Sequence, residues 1–335
     1  MAQALYRVKT VGEVHDAWLS SLAQVANAQV AVLGIPSDVG AGLVRGAAYG
    51  PQELRATWLR ADGQGSTGRK GVVDVGDVRV IPQLLHDDML SDAQKADSRA
   101  ALYADVPLDV AATLPVSPLS VAESALDEIF RLNPNCKLLM LGGDHSVAWP
   151  VVAALGKHMK QPWAILHFDA HTDLLPTRLG VRYCFATWAF AAIGVLGQPG
   201  RMVQVGIRAS GHDRGHWEQN LGVKQFWASE VLAQPVQTTV NQIVAHLHAQ
   251  GVRHVYISND IDGTDMSFAP ATGTPEPGGL PPEVVIAVIE AVGRHFSVIG
   301  ADLVEVAPPV GDRAGAAATC EVGVSYLLAS VAAML

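Results

Sequence analysis

The sequence predicts an α/β protein in which helices cover both faces of a parallel β-sheet. Short, continuous apolar runs alternate along the chain with segments of helical periodicity, and this alternation is typical of β-α-β units. The chain has 335 residues, of which 49% are hydrophobic and only 16% are charged. These proportions exclude an intrinsically disordered protein and are sufficient for a large buried core.

The predicted strands are short runs of aliphatic and β-branched residues. Such runs are expected of strands that are covered on both faces, as in parallel sheets. In chain order they are Gln29–Leu33, Lys137–Leu141, Trp163–Phe168, Met202–Ile207, His254–Ser258 and Val298–Leu303. Because both faces of these strands are expected to be apolar, polar side chains should collect at the strand ends.

The helix predictions combine periodicity with capping residues. The predicted helices are Ser120–Leu132, Thr238–Gln250 and Glu283–Phe296. Ser120 followed by Glu123 three residues later is the pattern of a capping box. Gly251 is suited to end the second helix, and Pro281 and Pro282 are suited to begin the third.

No internal repeat or clear linker divides the chain. We therefore predict one domain, residues 29–335, preceded by an N-terminal extension, residues 1–28. Two segments rich in loop-forming residues, Ser98–Ser117 and Ala269–Pro282, are predicted as loops. The apolar C-terminal run Gly323–Leu335 is shorter than the roughly 20 residues that span a bilayer, so we interpret it as a buried terminal helix.

Charge and cysteine content limit the classes of partner. The net charge of −9 provides no basic surface for nucleic acid. The N-terminal residues contain no apolar signal segment, and we predict no membrane span. The three cysteines, Cys136, Cys184 and Cys320, are too sparse for a disulfide framework and fit a reducing compartment. We therefore expect a cytoplasmic protein that binds neither nucleic acid nor a membrane.

Polar side chains follow four of the predicted strands at the point where each strand ends. The four segments are Gly142–Ser146 (GGDHS), Asp169–Asp173 (DAHTD), Asn259–Asp262 (NDID) and Val304–Glu305. In open parallel sheets, ligands bind in the crevice outside the carboxyl ends of the strands. Each segment alone would be an ordinary turn, helix cap or surface pair, but the four together predict a binding site at this edge of the sheet.

The acidic residues and histidines of these segments are spaced for a shared metal site. Residues two apart in extended chain face the same side, and two such sets occur here: Asp169, His171 and Asp173, and then Asp260 and Asp262. Carboxylates this close repel each other unless protons or cations neutralise them. Four aspartates are balanced by two divalent cations, and an oxygen-rich set completed by histidine nitrogens suits Mn²⁺. Such a metal pair activates water for attack on an electrophilic carbon.

Other histidines have more ordinary interpretations. His167 precedes Asp169 by two residues and can face the same way, either as the partner of a ligand or as an unrelated core residue. His212 and His216 are predicted to lie in an exposed loop.

The strand-end segments resemble the signatures of the ureohydrolase (arginase/agmatinase) family. The matching segments are Gly142–Ser146 (GGDHS), Asp169–Asp173 (DAHTD) and Ser258–Gly279 (SNDIDGTDMSFAPATGTPEPGG). The resemblance extends over residues 29–335 and is closer to the agmatinase branch than to arginase itself. It implies a three-layer α/β/α sandwich with a mostly parallel sheet of about eight strands. It also implies a homo-oligomer, either a trimer or a hexamer.

The resemblance further implies the reaction and the site residues. The family hydrolyses guanidino compounds to urea and an amine with two divalent metal ions, usually Mn²⁺ and in some members Ni²⁺. The implied metal ligands are His145, Asp169, His171, Asp173, Asp260 and Asp262. Asp262 would also orient the attacking water, and Glu305 would hold the guanidinium group of a small-molecule substrate. Thr272 and Thr274 would line the substrate site.

One position departs from the family pattern. Where many members carry a histidine that is thought to relay protons, the segment Tyr183–Thr187 (YCFAT) has Phe185. Phenylalanine transfers no proton, so water, Tyr183 or His212 would have to protonate the leaving amine. Three functions stay open: an agmatinase-like hydrolase of agmatine, guanidine, an alkylguanidine or a guanidino acid; a hydrolase of a related formimino compound; and a catalytically weak metal-binding subunit with a structural or regulatory role.

Overall fold

The computed structural model describes residues 2–39 and 44–335, which build a three-layer α/β/α sandwich. The strands are β1 (Val30–Ile35), β2 (Val72–Asp77), β3 (Lys137–Gly142), β4 (Trp163–Phe168), β5 (Met202–Ile207), β6 (Lys224–Trp227), β7 (His254–Asp260) and β8 (Ser297–Val304). They form one sheet in the order β2-β1-β3-β8-β7-β4-β5-β6, and all neighbouring strands are parallel. The predicted fold class is therefore confirmed.

The helices of the described residues fall into two layers. They are α1 (Ala2–Leu5), α2 (Val11–Gln24), α3 (Gly50–Asp62), α4 (Asp92–Leu102), α5 (Leu108–Ala111), α6 (Pro118–Leu132), α7 (Ala148–His158), α8 (Trp188–Leu196), α9 (Arg214–Leu221), α10 (Ala228–Leu232), α11 (Val236–Ala249), α12 (Pro282–His295) and α13 (Arg313–Met334). One face of the sheet packs against α6, α7 and α8, and the other against α3, α11, α12 and α13.

Both faces of the central strands are buried, which explains why continuous apolar runs predicted them. In β3, Leu138 and Met140 belong to the core under α6–α8, whereas Leu139 and Leu141 belong to the opposite core. Successive side chains of a strand point to opposite faces, so an apolar residue is needed at every position.

The two edge strands, β2 and β6, escape the sequence prediction. Each contains a buried polar side chain that interrupts its apolar pattern. In β2, Asp74 is buried and accepts a hydrogen bond of 2.8 Å from Nε of Arg55. In β6, which has only four residues, Gln225 is buried. A polar residue in a short run does not distinguish a strand from a loop unless its partner in space is known.

Prolines set the helix starts, and the capping box predicted at Ser120 is wrong. The N-cap of α6 is Ser117, whose Oγ accepts the N–H of Ser120 at 3.1 Å, and Pro118 occupies the first helical position. Likewise α11 starts directly after Pro235, two residues before its predicted start, and α12 starts at Pro282, one residue early.

The loop predicted at Ser98–Ser117 is partly wrong, because α4 continues to Leu102 and α5 follows within the same segment, whereas the rest of the segment is turns and irregular backbone. The other predicted loop, Ala269–Pro282, contains only an isolated bridge at Leu280 before α12 begins.

The predicted N-terminal extension, residues 1–28, forms α1 and α2. The indole N–H of Trp18 in α2 donates to the Val75 carbonyl at 2.8 Å.

The C-terminal helix is longer than predicted, because α13 spans 22 residues and Gly323–Leu335 covers only its second half. Among the described helices, α13 alone is long and apolar enough to cross a bilayer, and half of that stretch is buried within the protein. It packs against α3, α12 and β8. Buried core helices of globular proteins share this length and composition.

Candidate metal centre

The four polar segments predicted at strand ends lie together at one edge of the sheet. They follow β3, β8, β7 and β4, which are neighbours in its centre. At Gly143 a Cβ atom would lie 1.9 Å from the carbonyl oxygen of Ser37, so this close approach requires glycine. The Glu305 N–H donates to the Gly143 carbonyl at 2.8 Å and so ties the last segment to the first.

His145 and three carboxylates form a first ligand group. Its imidazole Nδ1 lies 3.0 Å from Oδ2 of Asp260, 3.2 Å from Oδ2 of Asp173 and 3.3 Å from Oδ2 of Asp169. All four residues are buried. The group therefore presents one nitrogen and three oxygens to a small enclosed volume.

His171 and Asp262 form a second ligand group with the other oxygen of Asp169. The His171 Nδ1 lies 3.1 Å from Oδ2 of Asp262 and 3.5 Å from Oδ1 of Asp169. The two oxygens of Asp169 thus face different groups, so this carboxylate could contribute a ligand atom to each position of a metal pair. All six predicted ligands are brought together in this arrangement.

The donor set fits a pair of divalent cations. The ligand atoms of Asp169, His171 and Asp262 lie within 4.8 Å of one another. The ligand atoms of a second set also lie within 4.8 Å of one another: His145, Asp169, Asp173 and a further histidine, His167. Buried carboxylates that share so small a volume need cations or protons to neutralise them. A mixed oxygen and imidazole set suits Mn²⁺ or a similar divalent ion.

The electrostatics indicate that protons take the place of cations when no metal is bound. Burial opposes the charged form of His145, but its hydrogen bonds to Asp169 and two other carboxylates raise its pKa well above the usual range. Burial likewise opposes the charge on His171, but Asp262 and Asp169 raise its pKa to about 12. Burial, with repulsion from Asp262, also raises the pKa of Asp260 well above its ordinary value.

Metal binding is therefore expected to release protons. Both histidine pKa values are raised, so His145 and His171 are protonated at pH 7 in the metal-free protein, and each metal must displace a proton. Affinity for Mn²⁺ should consequently rise with pH and fall as the solution is acidified. Calorimetric titration of chelator-treated protein in two buffers of different ionisation enthalpy measures the release. His171→Asn should release one proton fewer, and binding without proton release would contradict the expectation.

Two site residues have left-handed backbone conformations that favour glycine. Glu305 has φ of 59° and Asp173 has φ of 53°. Such conformations cost on the order of 1 kcal/mol or more for other residues and are concentrated at functional sites. Glu305 is buried, and its Oε1 accepts the N–H of His145 at 2.9 Å. Burial and repulsion from Asp260 raise the pKa of the Glu305 carboxyl well above its usual value.

The two threonines predicted to line the site have different surroundings. Thr274 donates from Oγ1 to Oδ2 of Asp262 at 2.9 Å, so it supports a predicted metal ligand. The hydroxyl of Thr272 is buried without a hydrogen-bond partner among the residues the structure describes. An unpaired buried hydroxyl is costly, so Thr272 is available to a water molecule or a ligand.

Four further residues support the centre and are not among the predicted ligands: His167, Ser258, Asp302 and Trp188. The Trp188 indole N–H donates to Oδ2 of Asp173 at 2.9 Å, and its ring lies 4.7 Å from that of His145. His167 and Ser258 each stand two residues before an aspartate ligand and so share its face of the strand. A polar residue at that spacing in an otherwise apolar strand is the signal that draws attention to His167 in the sequence, and the same signal could have identified Ser258.

Residues 174–187, here called the return segment, leave the centre after Asp173 and rejoin it at Trp188. The Leu175 N–H donates to the Ala186 carbonyl at 3.1 Å and closes the base of the segment. Phe185 packs against the Arg178 guanidinium, at 5.1 Å, and the Tyr183 ring packs against that of His86 at 4.3 Å with a tilt of 38°. Outside this segment, His212 lies in an exposed loop as predicted, but the loop prediction is wrong for His216, which lies within α9. The rings of the two histidines stack at 3.9 Å.

Comparison with known proteins gives consistent matches. The model of the arginase family matches residues 28–329. Proclavaminate amidinohydrolase of Streptomyces clavuligerus is 34% identical over 83% of this chain and 80% of its own length. Agmatinase of Chromobacterium violaceum is 32% identical over 83% of this chain and 76% of its own length. The crystal structure of a hypothetical agmatinase from Burkholderia thailandensis superposes with a TM-score of 0.70 at 26% identity, covering 92% of this chain and 87% of that one.

Proposed function

This chain belongs to the arginase family and is a hydrolase of amidino C–N bonds, and we propose that it releases urea from a guanidino acid. One observation carries the proposal: Asp169 presents its two oxygens to two separate ligand groups, beside the buried carboxylate of Glu305. The ligand groups are suited to hold a metal pair, Mn²⁺ or Ni²⁺, and Glu305 is suited to bind a planar cation.

The second ligand group orients the attacking water. A metal pair held at the centre would lower the pKa of water and so supply a nucleophile at neutral pH. Asp262 is fixed by the Ala170 N–H, which donates to Oδ1 at 3.0 Å, and by Thr274, which donates to Oδ2. A carboxylate held this firmly accepts a hydrogen bond from the water and aims it at the guanidinium carbon. The bond from that carbon to the amine nitrogen then breaks, water protonates the departing amine, and urea is the other product.

Glu305 binds the guanidinium group. A carboxylate and a guanidinium form two parallel hydrogen bonds, which fix the plane of the substrate as well as its position. The His145 N–H bond to Oε1 orients the Glu305 side chain before substrate arrives. Burial strengthens the attraction to a cation, because few water molecules compete with it.

Two arginines of the return segment favour a substrate with an anionic tail. Arg178 and Arg182 are exposed, and their guanidinium groups lie 5.1 Å from the Phe185 ring and 5.5 Å from the Tyr183 ring. Neither arginine forms an ion pair with a carboxylate of the described residues. Arg178 is placed by a two-residue turn in which Arg178 and Val181 exchange backbone hydrogen bonds of 2.9 and 2.8 Å. Guanidinium groups in a defined position and without an acidic partner are suited to bind a carboxylate.

A urea-release assay tests the proposed function. Protein loaded with Mn²⁺ or Ni²⁺ should release urea from ω-guanidino acids, and more slowly from guanidine, agmatine and arginine. If none of these compounds yields urea, the amidinohydrolase assignment is contradicted. A protein that binds two metal ions but releases no urea would instead favour a structural or regulatory subunit. Rapid turnover of agmatine alone would contradict the anionic tail but leave the reaction class intact.

Variants of the arginine pair test the tail preference separately. Arg178→Ala and Arg182→Ala should each lower kcat/KM for a guanidino acid by about 10-fold, the loss of roughly one charge-assisted hydrogen bond. Turnover of guanidine, which has no tail, should not change. Arg214→Ala is the matched control, because Arg214 is a partly exposed arginine that pairs with Glu230 outside the return segment. Equal losses for guanidine and for the guanidino acid would contradict the assignment.

A further inference from the structure

A row of buried polar side chains crosses the sheet beneath the candidate metal centre. Parallel pairing sets Gln225 of β6 beside Gln204 of β5, and continues through His167 of β4 and Ser258 of β7 to Asp302 of β8. All five are at most 2% exposed, and we call them the polar row. Below the row, away from the metal centre, this face of the sheet is apolar, so the polar groups depend for their hydrogen bonds on one another and on the residues that border the row.

The direction of these hydrogen bonds is fixed at the sheet edge. The indole N–H of Trp227 lies 2.9 Å from Oε1 of Gln225, and an indole can only donate. The amide NH₂ of Gln225 is therefore directed to Gln204, whose Oε1 lies 2.8 Å away and accepts. The NH₂ of Gln204 must then be the group that faces His167.

A second acceptor fixes the same direction independently. Nε2 of Gln204 lies 2.7 Å from the backbone carbonyl of Thr172, which can only accept. The same NH₂ group lies 3.0 Å from Nδ1 of His167. Since Nδ1 faces a donor, it must accept, and the proton of the His167 imidazole resides on Nε2.

That proton is directed at the shared carboxylate of the metal centre. Nε2 of His167 lies 2.7 Å from Oδ2 of Asp169. We propose that His167 is a hydrogen-bond donor to Asp169 and not a metal ligand, and that Gln204 and Gln225 are positioning residues that set its tautomer. The inference rests on the metal pair of the proposed function. It separates His167 from the ligands although its nitrogen lies among their donor atoms.

Ser258 and Asp302, at the other end of the polar row, determine the orientation of His145. Ser258 Oγ lies 3.0 Å from both carboxylate oxygens of Asp302 and donates its one hydrogen there. The same Oγ then accepts from Nε2 of His145 at 2.9 Å. In the metal-bound state expected above, His145 keeps only the proton on Nε2, so the lone pair of its Nδ1 faces the carboxylates of the first ligand group. In that state His145 directs an unprotonated nitrogen to the centre, whereas His167 directs an N–H group there.

The donor bond from His167 has a structural consequence for Asp169. It holds Oδ2 on the side of the first ligand group and leaves Oδ1 to the second. Hydrogen bonds of this kind to metal ligands typically contribute 10-fold to 100-fold to metal affinity. In a buried site the effect is not weakened by competing water.

Two substitutions of His167 distinguish a hydrogen-bond donor to Asp169 from a metal ligand at this position. Gln carries an NH₂ group at the distance from the backbone where His carries Nε2, whereas Leu carries no donor. We expect His167→Gln to bind two Mn²⁺ ions per chain with dissociation constants within a few-fold of the wild type, and His167→Leu to bind more weakly by about 10-fold to 100-fold. Competition with a chelator measures the affinities, and thermal melting of the metal-free proteins verifies folding. Equal losses in the two variants would overturn the proposal.

A third variant and a direct measurement test the donor-to-acceptor direction of the hydrogen bonds along the polar row. Gln204→Glu has the same size but replaces the donor toward His167 with an acceptor, so Mn²⁺ affinity should again fall about 10-fold to 100-fold. NMR spectra of wild-type protein with ¹⁵N-labelled histidine measure the tautomer directly. The imidazole signals that are absent from the spectrum of His167→Gln belong to His167, and they should show a protonated Nε2 and an unprotonated Nδ1. The Nδ1–H tautomer, or unchanged affinity in Gln204→Glu, would overturn the proposal. A wild-type protein that binds no metal would instead overturn the proposed function.

Discussion

Replacing Asp169 with alanine is expected to abolish urea release, with a loss on the order of 10³-fold or more in kcat. Asp169 is the one residue that contributes an oxygen to each ligand group. Its removal therefore weakens both metal positions at once, whereas loss of any other ligand acts mainly on one. It also leaves the His167 donor without its acceptor in a buried site.

The measurement for Asp169→Ala combines urea release with metal content after dialysis. The variant should retain fewer than two ions per chain even at Mn²⁺ concentrations that saturate the wild type. Asp127→Ala is the control, because Asp127 is exposed and pairs with Lys157 outside the centre. A variant that keeps both ions and near-normal kcat would show that the two ligand groups do not share Asp169.

Replacing Glu305 with glutamine is expected to lower kcat/KM by about 10²-fold or more while leaving metal content unchanged. Losing one partner of a buried charge pair costs about 2–5 kcal/mol, and the amide NH₂ of glutamine would face the N–H groups of the guanidinium. The combination of intact metal binding and lost turnover distinguishes this variant from Asp169→Ala. Loss of metal in Glu305→Gln would place Glu305 among the ligands instead.

Glu305→Gln should also change how stability depends on pH in the metal-free protein. The pKa of Glu305 is raised in the folded state, chiefly by burial, so the folded protein holds this proton more tightly than the unfolded chain. Ionisation of Glu305 therefore destabilises the fold progressively as the pH rises above the ordinary glutamate value of about 4.3. Glutamine cannot ionise, so the variant should melt at a higher temperature at neutral pH, with a smaller difference in acid.

The features of Glu305 that destabilise the folded protein are the same ones that suit it to bind a cation. A buried carboxylate in a left-handed backbone conformation is unfavourable until a cation arrives to pair with it. This combination is expected where a site is built for its ligand rather than for the stability of the empty protein.

The sequence by itself determines the fold class and the location of the centre. Continuous apolar runs are required by strands buried on both faces, and parallel strands bring their carboxyl ends to one edge of a sheet. The spacing of Asp169, His171 and Asp173 within one segment is a local property that the chain displays directly. For this reason, the predicted ligands meet in the structure although their segments are far apart in the sequence.

Only the tertiary structure decides how these residues divide their roles. Which oxygen of Asp169 faces which histidine, and which nitrogen of His167 carries the proton, depend on the register between strands far apart in the chain. In the sequence, Gln204 looks like a single interruption of the predicted strand Met202–Ile207, and Gln225 lies in a run that is not predicted as a strand. Pairing places them in one row with His167, and hydrogen-bond direction is then fixed by the indole of Trp227 and the carbonyl of Thr172. Local patterns identify candidate ligands, but the direction of a proton depends on neighbours that only folding supplies.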